Sequence, residues 1–191
     1  ELLKYSSRLA PRGLYASGKG STAAGLTAAV VRERTGMMML EAGTVVLADK
    51  GIACIDEFDK MRNEDRTALH EAMEQQTVSV AKGGINATLN ARTAVLAAAN
   101  PDLGRYDNYK PFHDQISIGT PLLTRFDLIF VIKDTPNTAR DEKLAQHILN
   151  IHQTGTTKVD VPLEFDLLKK YISYAKNFTP ELSPEAMKLI Q

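Results

Sequence analysis

Two short apolar runs that end abruptly at polar residues place the strongest constraint on how this chain can fold. Residues 52–55 run directly into Asp56 and Glu57, and residues 94–99 end at Asn100. Continuous apolar runs of this length are typical of strands buried on both faces, as in a parallel sheet covered by helices. The sequence therefore predicts an α/β fold in which polar side chains stand where two buried strands end.

Helical patterns alternate with these runs. Residues 63–76 predict a helix capped by Asn63. An apolar, β-rich run at 126–132 predicts a third buried strand, and Thr138 and Asp141 after it predict the capping box of a further helix. This alternation of strands and helices favours a parallel sheet.

Other segments predict smaller elements. Segments 77–81 and 85–89 alternate apolar with polar residues around a Lys-Gly-Gly turn, which predicts a β-hairpin. Segments 37–40 and 44–47 predict two short strands around a turn. After a turn-rich linker at 153–159, two more helical stretches predict a small separate bundle. The second is predicted to be capped by Ser183, with Pro184 at its first helical position.

Composition limits the classes of protein that the chain can belong to. Its 191 residues can form one domain with a small appendage, and its 23 basic and 23 acidic residues give a formal net charge of 0. This balance excludes blanket, non-specific coating of nucleic acid or membrane. The single cysteine, Cys54, is predicted to be a buried, reduced thiol, and no membrane span or signal peptide is evident. We expect an intracellular protein.

The acidic pair after the first run suits nucleotide hydrolysis. A carboxylate at the end of a buried strand can hold Mg²⁺, usually through water, and Asp56 suits that role. A second carboxylate beside it can activate the attacking water, which makes Glu57 the candidate general base. The alternative is a strand that simply runs into a solvated acidic turn.

Two further residues have both a functional and an ordinary interpretation. The Asn100 amide could bind a γ-phosphate or the attacking water, or it could only begin an Asn-Pro turn. Arg125 could enter a neighbouring subunit's nucleotide site, or it could pair with Asp127 or another carboxylate of its own chain.

Residues 13–19 match the pattern G-x-x-x-x-G-K of a phosphate-binding loop, but we reject this match. Gly20 stands where a Ser or Thr should follow the lysine, and Pro11 and Arg12 stand where a preceding strand is needed. An ordinary glycine-rich loop is the better interpretation. The histidines show no zinc-binding spacing either.

The order of motifs along the chain is more specific than any single motif. It closely resembles the AAA+ ATPase domain of the minichromosome maintenance (MCM) replicative helicases. The resemblance covers residues 1 to about 152, predicted to be the ATPase core, and residues 160–191 match the family's α-helical lid more loosely. The motifs that carry it are Leu40-Glu41-Ala42-Gly43, Cys54-Ile55-Asp56-Glu57-Phe58-Asp59-Lys60-Met61, His70-Glu71-Ala72-Met73-Glu74-Gln75-Gln76, Leu89-Asn90-Ala91-Arg92, Ala97-Ala98-Ala99-Asn100-Pro101 and Arg125-Phe126-Asp127-Leu128.

The resemblance implies a hexameric motor that uses ATP and Mg²⁺ to move along DNA and unwind it. Asp56 and Glu57 match the family's Walker B pair, with Asp56 holding Mg²⁺ through water. Asn100 matches sensor 1, which also contacts the nucleotide, and Arg125 matches the arginine finger that acts on the neighbouring subunit's ATP. The other subunits are copies or paralogues of the same protein.

The resemblance also assigns the hairpins. Residues 77–90 match the pre-sensor-1 hairpin, whose lysine, here Lys82, faces DNA in the ring's channel. Residues 34–48 match the helix-2 insert, which points into the same channel. The implied partner is single-stranded or duplex DNA bound without sequence specificity, with no membrane partner and a location on the chromosome in a nucleus or nucleoid.

Other expectations concern the ends of the chain and the alternatives. The family's phosphate-binding loop is expected just before Glu1 and its sensor 2 arginine beyond Gln191, so we expect the isolated polypeptide to lack ATPase activity. The alternatives are another AAA+ remodelling ATPase, of chelatase or chaperone type, and a non-catalytic ring subunit.

Overall fold

The architecture is taken from a computed structural model, which describes residues 1–107, 109–133, 136–155 and 162–190. The strands of this part of the chain are β1 (Gly13–Ser17), β2 (Ala28–Arg32), β3 (Met38–Ala42), β4 (Ile52–Asp56), β5 (Thr77–Lys82), β6 (Ile85–Asn90) and β7 (Ala94–Ala97). Its helices are α1 (Leu2–Leu9), α2 (Ala23–Leu26), α3 (Thr44–Leu47), α4 (Asn63–Gln75), α5 (Thr120–Leu123), α6 (Thr138–Thr154), α7 (Phe165–Ala175) and α8 (Pro184–Ile190).

The centre of the fold is a parallel sheet in the order β1-β4-β7. Ser17 pairs with Asp56, and Ile55 pairs with Ala97, so the three strands end at one common edge. Residues 53–55 of the central strand are fully buried, as the continuous apolar run predicts. The predicted α/β fold with a parallel sheet is confirmed, and so is the burial of the Cys54 thiol, whose pKa is raised by that burial.

The third strand of the sheet is not the one that the sequence predicts. The run 126–132 forms no strand, and Leu128, Phe130 and Ile132 are 73%, 81% and 79% exposed. The third strand of the sheet is β1 instead, although its apolar run is short. The prediction for 126–132 is wrong because apolar composition favours a strand without providing a hydrogen-bonding neighbour.

The hairpin formed by β5 and β6 is confirmed. Lys82 pairs with Ile85, and the two residues between them, Gly83 and Gly84, have φ values of 60° and 80°. Positive φ at both central positions is the geometry of a tight type I′ turn, which glycine adopts without strain. Lys82 is therefore the last strand residue and stands immediately beside the tip.

The predicted strand at 44–47 is wrong, since these residues form the short helix α3. The strand β3 pairs instead with the preceding β2, from Ala28 opposite Ala42 to Arg32 opposite Met38. Directly after β3, the Gly43 N–H donates to the Thr27 carbonyl over 2.7 Å, which turns the chain into the helix. The second hairpin thus exists, but it is built from residues 28–42.

The starts of two helices also differ from prediction by one residue. Asn63 is the first residue of α4 and its cap is Arg62. Asn137 rather than Thr138 caps α6, because its side chain accepts from the Arg140 N–H over 3.1 Å. Asp141 keeps its predicted partnership with the cap, accepting the Asn137 N–H over 3.2 Å.

Helix α7 contacts the core partly through α1. The ring of Tyr5 packs edge-on against Phe165 of α7, with centroids 5.5 Å apart. The predicted Ser183 cap of α8 is confirmed, since its Oγ accepts the Ala186 N–H over 3.2 Å. The predicted linker 153–159 begins as the end of α6, and from residue 156 it lies outside the described part. No helix among the described residues is long and apolar enough to span a membrane.

The opposite, amino-terminal edge of the sheet is held by one ion pair. Asp49 lies shortly before β4 and Arg92 shortly before β7, and the Arg92 Nε and Nη2 atoms donate to the two Asp49 oxygens over 3.0 and 2.8 Å. The Arg92 backbone N–H adds a bond of 2.9 Å to Asp49 Oδ1. These hydrogen bonds lower the pKa of the Asp49 carboxyl from 3.8 to about 2.

Replacing Asp49 by Asn is expected to lower stability at neutral pH. The ionised carboxylate stabilises the folded chain above its ordinary pKa of 3.8, and this contribution is lost as the pH falls toward the folded-state pKa of about 2. In thermal unfolding from about pH 7 to about pH 2, the difference in Tm between wild type and D49N should therefore shrink. The exposed control Glu181→Gln should show no such trend. A constant difference for D49N would contradict this account.

Candidate functional site

The two predicted carboxylates are brought together by a sharp turn at the end of β4. Asp56 is the last residue of the strand, and Glu57 follows it with φ 49° and ψ 43°, in the left-handed region. This conformation costs a non-glycine residue about 1–2 kcal/mol, so the surrounding contacts have to hold it in place. Strained backbone of this kind is concentrated at functional sites.

Each oxygen of the Asp56 carboxylate accepts one hydrogen bond. Oδ1 accepts the Glu57 backbone N–H over 2.9 Å, and Oδ2 accepts the Tyr15 hydroxyl over 2.9 Å. The bond to Asp56 raises the pKa of Tyr15, since the phenol is stabilised as a donor beside a negative charge. Tyr15 therefore remains a hydrogen-bond donor at neutral pH.

Glu57 is held from the same neighbouring strand. The Ser17 hydroxyl donates to Glu57 Oε2 over 3.0 Å. Tyr15 and Ser17 are two residues apart on β1 and therefore share one face of the sheet. Sequence reasoning missed both residues, although two hydroxyls at alternate positions, Tyr15 and Ser17, were the available signal.

Gly18 lets β1 come close to the turn. Its N–H donates to the Asp56 carbonyl over 2.7 Å, and a Cβ on this residue would lie 2.6 Å from the Glu57 carbonyl oxygen and 2.7 Å from Met61 Cγ. The glycine thus serves the packing of the carboxylate turn. Residues 13–17 form strand β1 and not a phosphate-binding loop. The prediction of an ordinary glycine-rich loop over 13–19 is also wrong for these residues, because the strand extends to Ser17.

Asn100 lies at the same edge of the sheet. Its backbone N–H donates to Asp59 Oδ1 over 3.1 Å, while the Lys60 ammonium lies 2.9 Å from Asp59 Oδ2. Burial acts to raise the pKa of Asp59, but the bonds from Lys60 and Asn100 outweigh it and lower that pKa. The segment just after the carboxylate pair is therefore tied to Asn100, whose side chain remains exposed.

Phe58 anchors this segment in the core. It follows Glu57 directly, is fully buried and packs edge-on against Phe126 with centroids 5.7 Å apart. Burying a phenylalanine side chain is worth about 1.5–3 kcal/mol. This burial helps to hold the strained backbone at Glu57.

Arg125 is bound to helix α4 of its own chain. Its Nη2 donates to Glu74 Oε1 over 2.5 Å, and its Nε lies 3.4 Å from His70 Nε2. Its side chain is 38% exposed, so it is partly accessible to solvent. Among the described residues Arg125 does not contact Asp56 or Glu57, and the carboxylate it pairs with is Glu74 rather than Asp127.

Lys82 is exposed beside the tip of the β5–β6 hairpin. That tip contacts the β2–β3 hairpin, because a Cβ on Gly83 would lie 2.7 Å from Met38 Cε and 3.4 Å from Val30 Cγ1. The two hairpins therefore touch at the end that carries Lys82. Gly83 permits this close contact.

The carboxyl edge of the sheet has the chemistry of a magnesium site. Asp56 and Asn100 offer carboxylate and amide oxygens, the ligands that Mg²⁺ prefers. The described ranges contain no cluster of three or more His, Cys, Asp or Glu side chains able to hold a metal ion. A Mg²⁺ ion here would therefore take its other ligands from water and from nucleotide phosphates, as is usual for this ion.

Comparison with known proteins identifies related chains. A family profile described as the MCM P-loop domain matches residues 1–152. The chain is similar to the minichromosome maintenance protein MCM of Saccharolobus solfataricus, with 57% identity over 100% of this chain and 28% of the relative. It is 51% identical to the DNA replication licensing factor MCM6 of Arabidopsis thaliana, over 100% of this chain and 23% of the relative.

A third relative is the DNA replication licensing factor mcm7 of Schizosaccharomyces pombe, which is 53% identical over 94% of this chain and 24% of the relative. The chain thus spans about a quarter of the length of the curated relatives it matches. In the first two relatives the similarity extends through the carboxylate pair, both hairpins and the C-terminal helices, since the whole of this chain is aligned.

Replacing Gly18 by Ala is expected to destabilise the chain by about 1–3 kcal/mol, because the added methyl group overpacks the carboxylate turn. Gly20 is the matched control: it is exposed, and a Cβ there has no neighbour within 4 Å. Gly20→Ala should therefore change stability by less than about 0.5 kcal/mol. Urea unfolding of the two variants measures the difference. Equal stabilities would contradict the close contact between Gly18 and the turn.

Proposed function

The chain belongs to the MCM family, and from this premise we propose that it forms the ATP-hydrolysing part of a replicative DNA helicase in the full-length protein. One observation carries the proposal: the Asp56–Glu57 pair stands at the carboxyl end of the central strand, whose residues 53–55 are fully buried, and each carboxylate is held by a hydrogen bond from β1. This is the arrangement that nucleotide hydrolysis needs. Family membership as a P-loop domain implies that the nucleotide is ATP.

In this proposal the two carboxylates have different roles. Asp56 holds Mg²⁺ through water, and the bound ion neutralises charge on the nucleotide phosphates. Glu57 accepts the proton of the attacking water. The Ser17 hydroxyl holds Glu57 Oε2, so the second carboxylate oxygen remains available for that water.

Two more residues complete the proposed site. Asn100 binds the γ-phosphate or the attacking water through its exposed amide, and the buried Asp59 fixes its backbone. Arg125 acts on the ATP of the neighbouring subunit, where its guanidinium neutralises charge on the transferred phosphoryl group. Its partial exposure beside Glu74 supports this role, because the group can be reached from outside its own chain.

DNA contact is proposed for the two hairpins. In a hexameric ring each subunit contributes one Lys82 beside a glycine turn, and the repeated ammonium groups bind phosphates without reading sequence. The net charge of 0 agrees with this, because the positive charge is needed only at the tips. We place the full-length protein on chromosomal DNA for the same reason.

The full-length protein is expected to hydrolyse ATP, to do so faster with DNA, and to unwind duplex DNA. Lys82→Ala should reduce unwinding about tenfold or more while it lowers DNA-free ATP hydrolysis less than about twofold, because the lysine contacts phosphates and not the nucleotide. Strand-displacement and phosphate-release assays measure the two activities. Lys143→Ala, which removes an exposed lysine from α6, is the matched control.

Three results would count against the proposal. Absence of ATP hydrolysis in the wild type would contradict a catalytic subunit and favour a non-catalytic ring member. Hydrolysis without any response to DNA would favour a remodelling ATPase. Equal loss of unwinding and hydrolysis in Lys82→Ala would contradict the role of the hairpin as a DNA contact.

A further inference from the structure

We propose that Tyr15 is a positioning residue that orients the Asp56 carboxylate toward the metal ion of the nucleotide site. The inference rests on the proposed function, since it assigns to β1 a part in that site. Tyr15 lies on the strand next to the carboxylate pair. In this proposal Tyr15 itself touches neither nucleotide nor metal. The observation that carries it is the 2.9 Å hydrogen bond from the Tyr15 hydroxyl to Asp56 Oδ2.

The two hydrogen bonds to Asp56 fix the plane of its carboxylate. Oδ1 is held by the backbone N–H of Glu57 and Oδ2 by Tyr15. A carboxylate bound through only one oxygen can rotate about its Cβ–Cγ bond, whereas one bound through both oxygens from different directions cannot. Each oxygen has two lone-pair positions, so one on each remains free for a metal-bound water.

The phenol reaches Asp56 because of the register of the sheet. Tyr15 pairs with Cys54, and Asp56 lies two residues further along β4 on the same face. A phenol spans this distance, while the shorter hydroxyl of Ser17, which pairs directly with Asp56, is bonded to Glu57 instead. The two hydroxyls of β1 therefore serve different carboxylates.

The exposure of Tyr15 favours a polar role over a packing role. Tyr15 is 40% exposed, and the Lys4 ammonium lies 5.8 Å from the centroid of its ring. A tyrosine kept only for core packing would be buried, as Phe58 is. Removing the Tyr15 hydroxyl should therefore change the site more than the stability of the fold.

Outer-shell partners of metal ligands typically affect metal affinity about 10–100-fold. We expect Tyr15→Phe to raise the apparent Kd for Mg²⁺ about tenfold. The experiment uses the full-length protein and a fluorescent, non-hydrolysable ATP analogue, and it follows analogue binding by anisotropy while MgCl₂ is titrated. Analogue affinity without Mg²⁺ and the Tm should match those of the wild type, because the hydroxyl acts through Asp56.

Two further variants make the result interpretable. Tyr5→Phe is the matched control, since it removes a hydroxyl from α1, where the ring packs against Phe165 rather than reaching the carboxylates. It should leave the Mg²⁺ titration unchanged. Asp56→Asn removes the carboxylate charge that is proposed to hold the ion through water, and it should weaken the Mg²⁺ dependence at least as much as Tyr15→Phe does.

The outcomes separate the positioning role from the proposed function. A higher Kd for Mg²⁺ in Tyr15→Phe and Asp56→Asn, but not in Tyr5→Phe, supports both. A change in Asp56→Asn alone overturns the role of Tyr15 and leaves the proposed function standing. A lower Tm in Tyr15→Phe with an unchanged Kd shows a purely structural role and likewise overturns it. Analogue binding that is independent of Mg²⁺ in the wild type overturns the site and the inference together.

Discussion

The strained turn at Glu57 is the constraint on which the rest of the site depends. A left-handed conformation at a glutamate is unfavourable, so it persists only because its neighbours hold it. Residues 53–55 of the central strand before it are fully buried, Phe58 after it is buried in the core, and Gly18 leaves room for it. As a result, two carboxylates that follow each other in sequence can both accept hydrogen bonds from one face of β1. Hydroxyl donors beside them orient this concentration of negative charge without neutralising it.

Helix α4 connects the carboxylate turn, Arg125 and the β5–β6 hairpin, for which different roles are proposed. It begins shortly after the carboxylate turn, carries His70 and Glu74 against Arg125, and ends directly before the hairpin strand β5. The hairpin tip in turn contacts the β2–β3 hairpin through Gly83 and Met38. Helix α4 is therefore connected both to Arg125 and, through β5, to the hairpin that carries Lys82. This contiguity is a spatial arrangement that agrees with the proposed function, in which nucleotide state and DNA contact would be linked.

The sequence allowed some features to be predicted because their causes are local. The buried strand before Asp56, the hairpin around two glycines and the Ser183 cap each depend on residues close together in the chain. Other features depend on contacts between segments that are distant in the chain, and the sequence does not show which segments pair. Residues 126–132 have strand composition but no neighbour to pair with, and Thr44–Leu47 form a helix because β3 pairs upstream. Tyr15 and Ser17 acquire their roles only through the register of β1 against β4, which alternation alone does not fix. The cap of α6 differs from the prediction by one residue because the Asn137 side chain, rather than that of Thr138, accepts the Arg140 N–H. At α4 the cap is Arg62, whose side chain makes no capping hydrogen bond.

The central claim is that the Asp56–Glu57 site hydrolyses ATP and is completed by Arg125 of a neighbouring subunit. The most direct measurement mixes two inactive variants of the full-length protein, Glu57→Gln and Arg125→Ala, and follows phosphate release. In a randomly mixed ring of head-to-tail interfaces, about a quarter of the sites pair an intact Glu57 with an intact Arg125. The account predicts that hydrolysis reappears on mixing, above that of either variant alone. Mixed rings as inactive as the separate variants would contradict it.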